Sequence, residues 1–330
     1  MMTLESTLSL ERWPLAEPFE ISRGILTGID LIVVTLRDAD GRVGRGEAAG
    51  VSYDGETPQT MAAQIEAIRP QLHADVSAAE LMQWLPAGGA RNALDCALWD
   101  LRARQAGKRA WDLAGRTEAV KPVLTAYTIG LGNEADTRRK VRAARHMPLL
   151  KLKADATRHL DMVRIAREEH PQARLVVDAN QAWSRDLLER LLPALQDYGV
   201  ELIEQPVQRG TDAQLDGLSS PIPLAADESC TDRASLHRLL GRYQYINIKL
   251  DKCGGLSEGL ALARSARELG FGLMVGNMCG TSLAMAPAHL IAQDCRFVDL
   301  DGPLLLTRDI AGGMAYDGPM LEVPQAGFWG

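Results

Sequence analysis

Eight short apolar runs, recurring about every 20–28 residues between positions 123 and 302, constrain this chain more than any other feature. They read VLTAYTIG, LLKLKAD, RLVVDAN, LIEQPV, PLAADES, YINIKL, GLMVGN and FVDLDG, with amphipathic stretches between them. Strands alternating with helices at this interval imply βαβ units and a parallel sheet, since a parallel partner is reached only through a crossover. Eight such runs are the number that closes a (β/α)8-type barrel. The runs share no repeat consensus, which argues against a solenoid. No glycine-rich phosphate turn follows the first of them, which argues against a doubly wound nucleotide-binding sheet. After Gly302 there is no eighth long amphipathic helix. The tail is punctuated by Gly and Pro, and its short strand-like MLEVP suggests a return toward the N-terminal region.

The first third has a different texture. LIVVTLRD, residues 31–38, is a β-rich run; Asp40-Gly41 is a hairpin signal, and a second strand follows. From about Thr57 to Gln105 the pattern is helical. Ala93, Leu94, Ala97, Leu98 and Leu101 recur at the spacing of a buried helix face, and Gly107 is a plausible C-cap. A chain of 330 residues also exceeds the usual size of one core. The expected organisation is α/β: an N-terminal α+β capping domain over residues 1–118, a (β/α) barrel over 119–302, and a segment 303–330 returning to the cap.

Bulk charge removes several classes of function. A formal net charge of −7, with no basic or aromatic stripe, excludes a nucleic-acid or anionic-membrane surface. No apolar run reaches the roughly 18–20 residues that span a bilayer. MMTLESTLSLERWPL lacks the basic and apolar regions of a signal peptide. The five cysteines, Cys96, Cys230, Cys253, Cys279 and Cys295, are odd in number and scattered, so neither a disulfide framework nor a zinc site is indicated. A reducing cytoplasm is the expected location.

Chemistry is carried by charges at the C-terminal ends of the runs, the end of a barrel where active sites are built. Lys151 and Lys153 end the second, Asp178 and Asn180 the third, Glu204 the fourth, Asp227 and Glu228 the fifth, Lys249 the sixth, Asp299 and Asp301 the eighth. Such charges on apolar parallel strands are costly unless paired or metal-bound. Asp178, Glu204 and Asp227 come from three consecutive strands about 4.8 Å apart, so at equal depth they converge. Three anions repel without a cation, and an all-oxygen set without His or Cys selects one Mg²⁺, with Mn²⁺ as a substitute. Lys151 and Lys153, at i and i+2, share one face of their strand. Lys249 approaches from the far side, four strands on. Lysines on opposite sides of a metal suit removal of a proton from one face of a carbon and delivery of one to the other.

These stretches, KLK, VVDANQAW, LIEQP, AADES and NIKLDKCGGL in that order, resemble the enolase superfamily in its muconate-lactonizing subgroup. Within it the chain is similar to dipeptide epimerases, of the L-Ala-D/L-Glu type. The discriminating element is VDLDGP; PFEISRG and LPAGGARNALDCALWDLRAR add to the likeness. The resemblance implies a modified (β/α)7β TIM-type barrel whose cap shapes specificity. It implies Asp178, Glu204 and Asp227 as Mg²⁺ ligands, Lys153 and Lys249 as the two acid–base residues, and Lys151 beside the substrate carboxylate. Asp299 and Asp301 would hold the α-ammonium of a dipeptide, and Arg23 would meet an acidic side chain. Thr128, Asn277 and Cys279 are expected to line the pocket, Lys252 to form a structural salt bridge, and Glu228 to support Lys249 or Asp227. Beside Lys151 and the metal, Lys153 is expected to favour its neutral form. The cap loop GVSYDGETP departs from the pattern, bringing Asp54 and Glu56 without an adjacent base, which weighs against an acidic side chain. An N-acylamino-acid racemase or cycloisomerase of the same superfamily would leave D-x-D unpaired. A catalytically dead binding barrel would have no use for both lysines. A small-molecule dipeptide is the expected partner, and the subunit is expected in a homo-oligomer.

Overall fold

The computed structural model describes residues 4–22 and 24–330. Three antiparallel strands open the chain: β1 (Glu5–Ile21), β2 (Gly24–Arg37) and β3 (Val43–Ala48), paired in that order. The β2–β3 hairpin turns at Asp40-Gly41, as its sequence signal requires. Strand β1 was not anticipated. It is an edge strand with alternating exposure that carries Pro14 and Pro18, and its register shifts between Pro14 and Phe19. Proline lacks the ladder N–H, so an edge or bulge is where a strand tolerates it.

Helices α1 (Pro58–Ile68), α2 (Ala78–Trp84), α3 (Gly89–Ala106) and α4 (Ala110–Leu113) complete the cap. Thr57 and Ser77 cap the first two through reciprocal side-chain bonds, and Gly107 ends α3 with φ 60°. Helix α3 lies flush on β3. A Cβ at Gly44 would stand 2.2 Å from the Ala97 carbonyl oxygen, and one at Gly46 2.0 Å from that of Ala93. Only glycine permits that approach.

The eight runs form one parallel sheet. After β4 (Val123–Leu124) come β5 (Tyr127–Ile129), α5 (Glu134–Ala143), β6 (Leu149–Lys153), α6 (Leu160–Glu169), β7 (Arg174–Asp178), α7 (Arg185–Asp197), β8 (Val200–Glu204) and β9 (Leu224–Ala226). Then follow α8 (Leu236–Leu239), β10 (Tyr245–Ile248), α9 (Leu250–Cys253), α10 (Leu256–Glu268), β11 (Gly272–Val275), α11 (Ser282–Ala292), β12 (Phe297–Val298) and α12 (Gly302–Leu305). Strands β5 to β12 pair in sequence order, and the Ala126 amide donates to the Val298 carbonyl at 2.7 Å, which closes the ring. The fold is thus a modified (β/α)7β barrel under an α+β cap. One crossover is short: between β8 and β9 there is only the 3-10 turn Asp212–Leu215, since Gly217, Pro221 and Pro223 interrupt the segment. The last strands, β13 (Tyr316–Asp317) and β14 (Met320–Leu321), pair with each other, and β14 pairs with β4. Farther on, the buried Trp329 indole donates to the Arg45 and Cys96 carbonyls of the cap at 3.1 and 3.2 Å.

Strand alternation layers the lumen. Leu149, Val176, Leu202, Ala225, Met274 and Phe297 form an apolar floor. Two residues farther along each strand, on the same face, stand Lys151, Asp178, Glu204, Asp227, Gly276 and Asp299. One step of the pleat therefore converts a packed barrel core into a charged mouth.

Candidate active site

The charged layer is buried and internally paired. Lys151 Nζ lies 3.1 Å from Asp178, 2.9 Å from Glu204 and 2.7 Å from Asp299. Lys153 Nζ donates to Asp178 Oδ2 at 2.7 Å, and Lys249 Nζ to Asp227 Oδ2 at 2.7 Å. Lys252, expected as a structural partner, donates to Asp227 Oδ1 at 2.6 Å. Strands β6 and β10 are four apart in a ring of eight, so Lys153 and Lys249 face one another across the mouth.

Two expectations about depth and pairing need correction. Asp178 and Glu204 are register partners, but the partner of Glu204 on the next strand is Ala225, which places Asp227 two residues beyond. Barrel strands are staggered, so convergent side chains do not share one register. Nor do Asp299 and Asp301 both await a cation: Asp299 already has Lys151. Asp301 Oδ2 instead accepts the Thr128 amide at 2.7 Å, and Thr128 Oγ1 donates to Asp299 at 3.3 Å.

The electrostatics follow from this pairing. Burial raises the Asp178 pKa, yet Lys153 and Lys151 carry it below the ordinary carboxylate value. Asp227 is likewise lowered, against burial, by Lys249, Lys252 and Lys151. Glu204 goes the other way. Burial and the negative charge of Asp178 push it up to about 7 despite Lys151. Burial, then Asp299, pushes Asp301 up to about 7. Burial works against the Lys249 ammonium, but Asp227 holds it above its ordinary range.

Among the described residues no three His, Cys, Asp or Glu side chains are arranged to hold a metal ion together. Ammonium groups of Lys151, Lys153, Lys249 and Lys252 lie on these acids. The donor set itself fits Mg²⁺: three buried carboxylates, no softer ligand, and one acid, Glu204, raised first by burial and then by the negative charge of Asp178.

Supporting side chains hold the acids in place. Asn247 Nδ2 donates to Glu204 Oε1 at 2.8 Å. Gln205, buried and with φ 35°, accepts the Asp227 and Ser229 amides at 2.9 and 3.0 Å. Its amide donates to Val207 O, Ser229 Oγ and Tyr243 Oη at 2.9–3.1 Å. Gln205 thereby fixes the end of β9 to the end of β8. Within LIEQP nothing local marks this glutamine for such a role. Asn180 Nδ2 lies 3.4 Å from Glu228 Oε1. The described non-glycine residues with positive φ, Asn180, Gln181, Gln205 and Cys279, all follow strand ends at this mouth. Backbone strain of this kind collects where a site dictates geometry.

Above the charges lies a cavity of about 390 Å³. Thr128, Asn277 and Cys279 line it, as do Lys151, Lys153, Lys249, Asp299 and Asp301. Asn277 Nδ2 donates to the Asp299 carbonyl at 2.6 Å and its Oδ1 accepts the Cys279 amide at 2.7 Å, so one side chain joins the loops after β11 and β12. The cap supplies a mostly apolar roof, including Phe19, Ile21, Ile25, Leu26 and Tyr53, which sequence reasoning missed. Arg23 lies outside the described residues. The acids of the second cap loop are engaged elsewhere: Asp54 pairs with Arg209 at 2.9 Å, and Glu56 accepts the Val51 and Gly89 amides at 2.7 and 3.0 Å. The base absent from the loop's own sequence comes from the segment after β8, so these acids do not oppose an acidic ligand as expected.

Residues 134–327 match the model of enolase C-terminal domain-like proteins, and residues 3–115 that of the mandelate racemase/muconate lactonizing enzyme N-terminal domain. The chain belongs to the enolase superfamily. Among curated superfamily members, an L-Ala-D/L-Glu epimerase of Escherichia coli (strain K12) is 42% identical, covering 93% of this chain and 95% of its own. An N-acetyl-D-glutamate racemase of a Pseudoalteromonas species is 39% identical over 91% and 95%. An enolase family member from Agrobacterium tumefaciens with homology to dipeptide epimerases, solved with sodium and L-Ala-L-Glu, superposes with a TM-score of 0.95. It is 40% identical, covering 99% and 100%. A dipeptide epimerase from Methylococcus capsulatus, complexed with Mg and L-Arg-D-Lys, superposes at 0.88 with 32% identity over 98% and 97%. Among the described residues of this superfamily member no helix is long and apolar enough to cross a membrane.

Proposed function

We propose that the protein is a dipeptide epimerase, an isomerase inverting the α-carbon of the C-terminal residue of a dipeptide of the L-Ala-D/L-Glu type. The observation that carries this is the opposed pair Lys153 and Lys249, on facing strands, around three buried carboxylates. The substrate's terminal carboxylate approaches the end of the cavity where Lys151 lies. One lysine amine, on one face of the α-carbon, takes the proton, and the C–H electron pair passes into the carboxylate as an enediolate. The ammonium of the other lysine then delivers a proton to the opposite face, which inverts the centre and leaves the two lysines with exchanged protonation. Mg²⁺ held by Asp178, Glu204 and Asp227 would supply positive charge beside that carboxylate as the proton leaves.

The 39% identical N-acetyl-D-glutamate racemase supports a second reading, a racemase of N-acylamino acids. The D-x-D pair favours the dipeptide, because among the described residues no ion pair reaches Asp301, and an ammonium would provide one. Our reading takes residues 1–118 as the cap, 119–302 as the barrel and 303–330 as the returning tail. It includes one Mg²⁺ per subunit with Mn²⁺ as substitute, a homo-oligomer and a cytoplasmic location. The test is mass-spectrometric exchange of the α-hydrogen of L-Ala-L-Glu in D₂O. Exchange and epimerisation should need Mg²⁺ and stop with EDTA. Exchange that continues unabated in EDTA would sink the metal assignment, and no exchange with any free dipeptide would sink the function.

A further inference from the structure

The cavity has a neighbour. A crevice of about 150 Å³ lies between β1, β5, α5 and α12. Leu15, Phe19, Thr128 and Leu305 line both spaces. Beyond that shared wall the crevice is walled largely by carbon, from Pro18, Ile129, Ala143 and Leu304, with the half-exposed ion pair of Arg139 and Glu17, 2.7 Å apart, toward solvent.

We propose that this crevice receives the side chain of the substrate's first residue, so that the enzyme takes dipeptides beginning with a branched aliphatic or aromatic residue and not with alanine alone. The inference rests on the dipeptide reading above. If Asp301 takes the ammonium, the α-carbon of the first residue is one bond from that nitrogen. Asp301 is itself bonded to the amide of Thr128, a residue that lines both spaces, so the ammonium site lies at the boundary between cavity and crevice. The substrate's peptide bond must run from there toward Lys151 and the three acids, which leaves the side chain to point the other way. A volume of about 150 Å³ holds a benzene-sized group in an apolar protein interior. An alanine methyl would leave most of it unfilled.

The experiment compares α-hydrogen exchange at the second residue for L-Ala-L-Glu, L-Leu-L-Glu and L-Phe-L-Glu, with the Mg²⁺-loaded full chain and with Ala143→Trp. Ala143 is exposed on α5 and lines the crevice, not the cavity, so the larger side chain fills the crevice without entering the core. The expected result is a wild-type kcat/KM for the Leu or Phe substrate within tenfold of that for L-Ala-L-Glu or above it. Ala143→Trp should lower the bulky substrates at least tenfold and leave L-Ala-L-Glu unchanged. A wild-type preference for alanine of more than tenfold overturns the proposal, as does a variant that changes all three substrates alike. Failure of all three substrates in the wild type would instead overturn the dipeptide reading on which it rests.

Discussion

Asp299 and Asp301 are two residues apart on one face, yet their surroundings separate them. Asp299 belongs to Lys151; Asp301 accepts the Thr128 amide, forms no ion pair among the described residues, and is pushed up to about 7 by burial and by Asp299. An ammonium contact of this charge-assisted kind contributes roughly 1.5–3 kcal/mol. Asp301→Asn should therefore lower kcat/KM for a free dipeptide by about ten- to a hundredfold and leave its N-acetylated form little changed. The ionised carboxylate is the binding form, so kcat/KM for the free dipeptide should rise with pH through about 7, a limb the N-acetylated compound lacks. A parallel loss for both substrates in Asp301→Asn would remove the ammonium from the account. For the lysines the prediction is stereochemical. Lys153→Ala and Lys249→Ala should each abolish net epimerisation, and each should retain exchange of one epimer only, the opposite one in the two variants. Equal residual exchange of both epimers in a single variant would mean one lysine serves both faces.

Among the elements, β3 and α11 show how the cap takes part in the site. The Glu47 carboxylate of β3 accepts the Thr281 amide at 2.8 Å and the Thr281 hydroxyl, at the start of α11. It thereby holds the loop that carries Asn277 and Cys279. On the neighbouring element, Asp251 of α9 accepts the Gly50 amide of the cap at 2.8 Å. Burial pushes Glu47 up to about 8, with Asp251 and Asp309 adding to it against the Thr281 bonds. The folded state thus holds this proton more tightly than the unfolded chain, whose glutamate titrates near 4.5. The linked stability is present below the unfolded value and is lost as pH rises from about 4.5 to about 8. Asp251, raised to about 6, contributes with the same sign. Glu47→Gln keeps an acceptor for the Thr281 amide, offers its own NH2 to the Thr281 hydroxyl oxygen and removes the titration, so its melting temperature should fall less steeply than the wild type's across that range. Identical pH profiles by scanning calorimetry would show that this acid stays ionised in the folded protein.

At the scale of the molecule, the barrel provides a rigid ring of charges and the cap provides its roof, and the chain's two ends are involved in joining them. Strand β1 contributes Leu15, Phe19 and Ile21 to the cavity, while Trp329 is 1% exposed beneath β3 and α3. Truncating a buried tryptophan costs about 3–5 kcal/mol. Trp329→Ala should lower the thermal midpoint clearly. Because Trp329 bonds the cap and not the charged layer, activity below the new midpoint should lose in KM more than in kcat. An unchanged midpoint would mean the tail adds nothing to cap–barrel cohesion.

Much of this was legible in the residues. The regular spacing of eight apolar runs between helical stretches specified a parallel barrel, and period-2 alternation within them put Lys151 and Lys153, or Asp299 and Asp301, on one face, since that depends only on local strand geometry. Glycine and proline placed the Gly107 helix end and the missing eighth helix, because their backbone restrictions are local too. What lay beyond reach depended on contacts distant in sequence. That Asp299 is occupied by Lys151, that Arg209 neutralises Asp54, and that Asp227 stands two residues out of register with Glu204 are consequences of ring closure and strand stagger. Gln205 looks like an ordinary polar residue until the end of β9 is beside it. Strand β1, polar and proline-bearing, has no periodic signal strong enough to announce it; it is a strand because β2 offers it an edge. Sequence determined which side chains share a face, a local property. Tertiary structure decided which charges neutralise one another, because pairing energy depends on distances that only the closed barrel and its cap establish.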